Sequence, residues 1–196
     1  MPRSVGGVSW GPAANEERAE HEPREGLTAP IPAIAKHAGV APQTVYAIFG
    51  NKGGLLRDLV DLVDTEAGRP ELIAGLRAAS GDPARQIALV VDFDLRLFER
   101  SGDLIGLAHG TQATHPEAAE LVRSGRKRGR RGRRPLVESW QAAGLLRDEL
   151  TVDEAIDGFL ALCSYDLYRL LVIEAGWTLQ RYASWVNRTV CLALVK

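Results

Sequence analysis

Apolar side chains fall at Ile87, Val90, Val91, Leu95 and Phe98, close to the 3.6-residue repeat of an α-helix. Nowhere does the chain alternate apolar and polar residues with the two-residue period of a half-buried strand, and no internal repeat is present. The fold class is therefore predicted to be all-α, because helices carrying one apolar stripe must bury it against other helices. With 196 residues, 45% of them apolar, the chain can bury a sizeable core.

The pattern predicts three helices over residues 31–66, the first two short, and then a break at Gly68-Arg69-Pro70. Asp82-Pro83 opens a helix that reaches Arg100, Gly102 interrupts it, and a short helix follows over residues 104–113. His115-Pro116 opens another, which runs through a basic stretch to Trp140 and stops near Gly144. Thr151 with Glu154 three positions on has the form of a capping box, and one helix is predicted from there to Gly176. That helix has two apolar stripes. Ile156, Phe159, Leu160, Cys163, Leu167, Leu170 and Leu171 form one; Ala155, Gly158, Leu162, Tyr165 and Val172 form the other. A two-faced helix needs two partners, and Gly158 would admit a close one. A homodimer through residues 152–195 is the reading preferred to burial inside one chain. Residues 1–24, with few apolar positions at helical spacing, read as a poorly structured segment.

The totals exclude several classes. The net charge is −1, so any affinity for nucleic acid must come from local clustering. No apolar run approaches the length of a membrane span, and no leader pattern opens the chain, which predicts a cytoplasmic protein with no membrane partner. Cys163 and Cys191 lie in apolar helical patterns as reduced thiols, and no Cys or His cluster has ligand spacing, so neither a metal nor a cofactor is expected. Asn187-Arg188-Thr189 matches a glycosylation sequon, which has no meaning in a cytoplasmic helix. Residues 7–11, GVSWG, match the G-x-S-x-G of hydrolases. That motif needs a strand before it and a helix after it, and here it stands in a Gly-rich segment, so no enzyme is expected.

The stretch AGVAPQTVYAIFGNK over residues 38–52 has a different texture. Ile31, Ile34, Ala35 and Ala38 give a first helix its inward face, and Gly39 suits the left-handed residue that ends it. Val40 would fill the gap between the helices. Pro42 suits the first position of a second helix, whose Val45, Ile48 and Phe49 point inward. Gln43, Thr44 and Tyr46 are then left on the outer side of the helix's first half. This is a helix-turn-helix over residues 25–66, and the exposed end is the part that enters a major groove. Gln43 can pair with an adenine edge, and Thr44 can bond a base or touch a thymine methyl. Tyr46 and Lys52 suit phosphate oxygens.

These residues resemble the DNA-binding signature of the TetR family of bacterial regulators. The likeness is carried by Ile34-Ala35, Ala38-Gly39-Val40, Thr44, Tyr46, Phe49, Lys52 and Leu55-Leu56. The LacI type shares the Ala-Gly-Val turn but lacks the Tyr-x-x-Phe pair and the Lys that follows. The resemblance implies a homodimeric repressor that binds a palindromic DNA operator, with residues 67–196 holding an unknown small-molecule effector and the dimer contact. Some positions depart from the family's pattern. Residues 12–26 lack a Leu-Phe pair and contain Pro23, the usual capping Thr is replaced near Pro30 with Pro32 following, and Ala41 stands where a capping Ser is common. Gly53-Gly54 weakens the start of the next helix. The alternative is a small-molecule-binding dimer of the same ancestry with weakened or lost DNA binding.

For the effector pocket the candidates are Phe93, His109, Trp140, Tyr165, Asp166 and Tyr168, with His109 and Asp166 as polar anchors. Trp177 and Trp185 read as packing residues. The densest charge run, GRKRGRRGRR over residues 125–134, is either a second nucleic-acid patch or a solvated helix face. The second reading is preferred, since no aromatic is interleaved to stack on bases. The glycines of that run suggest local mobility.

Overall fold

A computed structural model describes residues 29–196. The expectations for residues 1–28, including the poorly structured N-terminal segment and the hydrolase-like motif, lie outside the described residues. Helices account for nearly all regular structure among them. Among the described residues the one β-type pairing is an isolated bridge between Leu146 and Val195.

The first unit is small. Helix α1 (Ile31–His37) stops at Ala38, Gly39 takes φ 68°, and the Val40 amide bonds back to the Ala35 carbonyl at 2.9 Å. Helix α2 (Pro42–Phe49) begins on Pro42, whose missing N–H is no loss at that position. Ile31, Ala35 and Val45 are buried together, with Phe49 packed beside them. This core is narrower than the sequence suggests. Val40 is 43% exposed and Ile48 65% exposed, and Ala38 is exposed too. Two short helices meeting at one angle bury a single ridge each, and these three residues fall off it.

Gly50, at φ 71°, ends α2, and Asn51 caps helix α3 (Lys52–Glu66) by accepting the Gly54 amide at 2.9 Å. Gly54 is a requirement of this junction. A Cβ there would lie far inside contact distance of the Phe49 carbonyl oxygen. The flexibility cost of a helical glycine is thus offset by a close approach that no other residue permits.

Gly68, left-handed at φ 89°, separates α3 from helix α4 (Arg69–Ala78), an element the periodicity does not announce. Asp82 caps helix α5 (Pro83–Thr111), which is kinked at Ser101, where φ is −128°. The two helices expected either side of Gly102 are therefore one bent rod. Helix α6 (Pro116–Ala142) ends at Gly144. The capping box closes as expected on helix α7 (Val152–Leu162): Thr151 N donates to Glu154 Oε2 at 2.9 Å, and Glu154 N to Thr151 Oγ at 3.3 Å.

The single helix expected as far as Gly176 is broken. It stops at Cys163, Ser164 caps a new turn, α8 (Tyr165–Tyr168), and the chain continues as a π-helical turn over Arg169–Glu174. Ser164 competes for a backbone amide within an otherwise apolar run, which is how a serine interrupts a helix. The two apolar stripes are therefore not continuous. Gly158 faces Leu194 of helix α9 (Leu179–Leu194) in the same chain, a Cβ there lying 3.6 Å from its methyl.

Helices α5, α6, α7 and α9 enclose the main core, centred on Ile87, Val91, Val137, Ile156, Phe159 and Val186. Trp140 lies fully inside it, donating its indole N–H to Gln86 Oε1 at 2.7 Å. Gly129 lets α6 approach α7, since a Cβ there would meet Leu160 at 2.7 Å. That glycine has a packing role the sequence does not announce.

Candidate functional site

Two regions carry chemistry. The first is the outer face of α2. Gln43 and Thr44 are exposed, Tyr46 is 48% exposed, and Pro42 and Lys52 are half-buried where the chain enters α2 and α3. The first turn of α2 has no side-chain cap; Pro42 has no N–H to satisfy, and the Thr44 amide donates to the Ala41 carbonyl at 3.0 Å. Lys36, at the end of α1, and Arg57, on the first turns of α3, are exposed cations that the sequence reading did not include. The acidic residues of α3 lie further along it, and Asp61 and Asp64 are engaged by Arg128 of α6 at 2.7 and 3.6 Å. Two carboxylates of α3 are thus neutralised from the bundle side.

The second region is a cavity of about 830 Å³ bounded by α3, α4, α5, α6, α7 and α8. Most of its wall is apolar, including Val60 and Val63 of α3, Leu72 and Leu76 of α4, and Leu97 and Leu104 of α5. Four of the six residues singled out from the sequence stand in the wall: Phe93, His109, Tyr165 and Asp166. His109 Nδ1 and Asp166 Oδ1 are 3.3 Å apart. The Tyr165 ring lies 5.7 Å from that of His109, and its hydroxyl donates to the Gly102 carbonyl at 2.9 Å, just past the kink of α5. The other two are elsewhere. Trp140 is held in the core against Phe159, and Tyr168 is wedged between Phe98 and Tyr182, at 5.3 and 5.8 Å.

The cavity also contains charges that the sequence reading passed over. Asp94 is buried and ion-paired to Arg133, whose guanidinium also lies 4.9 Å from the centre of the Phe159 ring. Burial pushes the Asp94 carboxyl up to about 6, against the opposing pull of Arg133. Burial likewise raises Asp64, opposed by Arg128 and Arg69. A signal for Asp94 was present: it sits four residues after Val90 and four before Phe98, in register with the apolar stripe. Arg133 is likewise three before Leu136 and seven before Trp140, on the inward face of α6. The basic run therefore is neither a free nucleic-acid patch nor a merely solvated face. Arg128, Arg130, Arg133 and Arg134 each reach carboxylates on other helices, Arg130 pairing with Asp157 and with Asp153 at 3.0 Å.

Cys163 is a free, buried thiol that burial pushes up to about 12, so it stays protonated and unreactive. Among the described residues no group of three or more His, Cys, Asp or Glu is placed to hold a metal ion, and no helix is long and apolar enough to cross a membrane.

Residues 25–59 match the profile of the family described as bacterial regulatory proteins, tetR family. No curated protein matches the chain in sequence. Solved structures share its fold at low identity. A candidate transcriptional regulator from Saccharomonospora viridis, in complex with choline, aligns at 19% identity with a TM-score of 0.62, over 88% of this chain and 91% of that one. A candidate TetR-family regulator from a Rhodococcus species aligns at 12% identity with a TM-score of 0.68, over 87% and 90% of the two chains. The ketosteroid transcriptional regulator of Mycobacterium tuberculosis aligns at 17% identity with a TM-score of 0.53, over 87% of each chain. With an all-α fold and a helix-turn-helix in its first described helices, the chain matches the profile of the TetR family of bacterial regulatory proteins over residues 25–59 and shares the fold of solved regulators over most of its length.

Proposed function

We propose that the protein is a repressor that leaves a palindromic operator when a small molecule fills the cavity between α3 and α8. One observation carries this reading: the cavity wall includes Val60, Val63 and Asp64 of α3, the helix joined to the reading helix α2 through the Asn51 cap and the Gly54 contact. An occupant of the cavity therefore touches the element that sets the angle of α2. A ligand that favours the DNA-incompetent angle releases the operator only by binding that state more tightly. Choline bound to a structural relative supports a small-molecule occupant for this architecture.

In this reading residues 25–66 bind DNA, with Pro42, Gln43, Thr44, Tyr46 and Lys52 at the groove, and residues 67–196 hold the effector and the dimer contact. Residues 152–195 form a homodimer. Leu170 and Ile173 on the π-helical turn and Leu192 on α9 are large apolar side chains left exposed in a single chain, and a two-fold partner would cover them. Two-fold symmetry then presents two copies of α2 to two half-sites about one DNA turn apart. The protein acts in the cytoplasm, on DNA, and carries out no catalysis.

The test is a gel-shift titration of the full chain against DNA flanking its own gene, alongside sedimentation at micromolar concentration. A dimer of 21.3 kDa chains that binds such DNA with nanomolar affinity is expected. A persistent monomer, or affinity indifferent to sequence, would remove the reading.

A further inference from the structure

We propose that the cavity takes an amphipathic anion: an apolar chain or ring body ending in a carboxylate, seated against the arginines of α6. The inference rests on reading the cavity as the effector site and goes on to name the chemical class of its occupant.

The charges in the cavity wall are unequally engaged. Four carboxylates stand in the wall; three face arginines and the fourth, Asp166, faces a histidine. Asp94 pairs with Arg133, Asp157 with Arg130, Asp166 with His109, and Asp64 with Arg69 and Arg128, at 3.5 and 3.6 Å. At Asp64, Asp94 and Asp157 a cationic ligand would have to displace an arginine, which leaves only the exposed Asp166 open to it. The arginines are in the opposite position. The Nε–H of Arg128 and that of Arg133 are buried and have no acceptor among the described residues. Arg133 is nine-tenths buried, so its bare donor carries the full penalty of lost hydration. Arg126 and Arg131 line the same wall, are exposed, and take part in none of the ion pairs found among the described residues. The wall thus offers surplus positive charge and buried donors, and among its carboxylates only Asp166, at the exposed edge, has no arginine partner.

The aromatic side chains agree. A quaternary ammonium needs open ring faces arranged as a box. Of the three Phe and Tyr rings in the wall, Phe98 and Tyr165 instead pack on each other with centroids 5.6 Å apart and the Tyr165 hydroxyl is already bonded to Gly102, which leaves Phe93 alone and forms no box. The long apolar wall formed by α4 and α5 suits the body of the ligand, and a guanidinium suits a carboxylate in geometry as well as charge.

The full chain should be titrated by calorimetry with decanoate, decanol and decyltrimethylammonium, which share a tail and differ in head charge. Decanoate is expected to bind at least tenfold more tightly than decanol, and the ammonium compound least. Arg128→Gln leaves the Asp94–Arg133 pair intact and should lower decanoate affinity several-fold while leaving decanol unchanged. Arg131→Gln, at an exposed position that cannot threaten folding, should act in the same direction. Decanol or the ammonium compound binding as well as decanoate would overturn the anion and leave an effector cavity standing. No binding by any of the three at millimolar concentration would overturn it too. Decanoate binding that leaves operator affinity unchanged would uphold the anion site and instead remove the effector reading.

Discussion

Arg96 of α5 donates its Nε–H to the carbonyl oxygen of Ala67, just past the end of α3, at 2.9 Å. One turn further along, Arg100 donates to the carbonyl of Glu66 at 2.5 Å. The last carbonyls of a helix have no partner within it and form the negative end of its dipole, so two guanidinium groups are well placed there. They join α3 to the rod that also carries Phe93, Leu97 and Ser101 into the cavity wall. Arg96→Met should therefore lower stability by about 1–2 kcal/mol, the scale of a charged hydrogen bond to backbone. Urea unfolding measures it. A midpoint unchanged from the parent would mean that this bond does not hold α3.

At the reading face, base contacts and phosphate contacts should separate. Gln43→Ala is expected to relax base preference and to cost about 1–3 kcal/mol per half-site, if its pairing with adenine is bidentate. Lys52→Ala should weaken binding to all sequences alike and flatten the salt dependence by about one ion. Binding titrations on operator variants at several salt concentrations distinguish the two. If Gln43→Ala leaves operator choice untouched, α2 is docked by a different face.

Local signals were legible in the sequence, and non-local ones were not. Gly39, Pro42 and the Thr151–Glu154 box act within a few residues, and the turn, the α2 start and the α7 cap lie where they point. Val40 and Ile48 have the composition of core residues, but their exposure depends on the angle between two short helices, which periodicity does not encode. The break after Leu162 is masked because the apolar stripe runs on through it, although Ser164 offered a cap in mid-run. Among the pocket candidates, Phe93 and Trp140 look alike in sequence. Only the packing of α6 on α7 puts Trp140 against Phe159, while Phe93 reaches the cavity. The basic run misleads for the same reason, since its carboxylate partners lie on α3, α5 and α7.

Two glycine substitutions should have opposite effects. Gly54→Ala places a methyl against the rigid Phe49 carbonyl, so the α2–α3 angle must open. A loss of about 1–3 kcal/mol is expected, with operator affinity falling as well. At Gly125 in α6 a Cβ meets nothing within 4 Å, so Gly125→Ala should stabilise by up to about 1 kcal/mol through helix propensity. Thermal melts of both variants, beside the parent, check the pair. Equal effects of like sign would mean that the tight contact at Gly54 is not maintained in solution.

The buried pair of Asp94 and Arg133 should leave a mark on the pH dependence of stability. An ordinary Asp ionises near 3.8, and burial raises Asp94 to about 6 in the folded protein while Arg133 opposes the rise. Between these values the folded state holds a proton that the unfolded chain has released. The stability this group contributes is therefore fully present below about pH 4 and is lost as pH rises through about 6. Asn at the same position cannot ionise and has no such loss. Asp94→Asn should thus compare worse with the parent at pH 5 than at pH 7.5, the gap moving in favour of Asn by about 1 kcal/mol. Paired urea titrations at the two pH values cancel the other ionisable groups, which both proteins share. A gap that stays constant, or moves against Asn as pH rises, would show that Arg133 keeps Asp94 ionised across this range and that its charge outweighs burial.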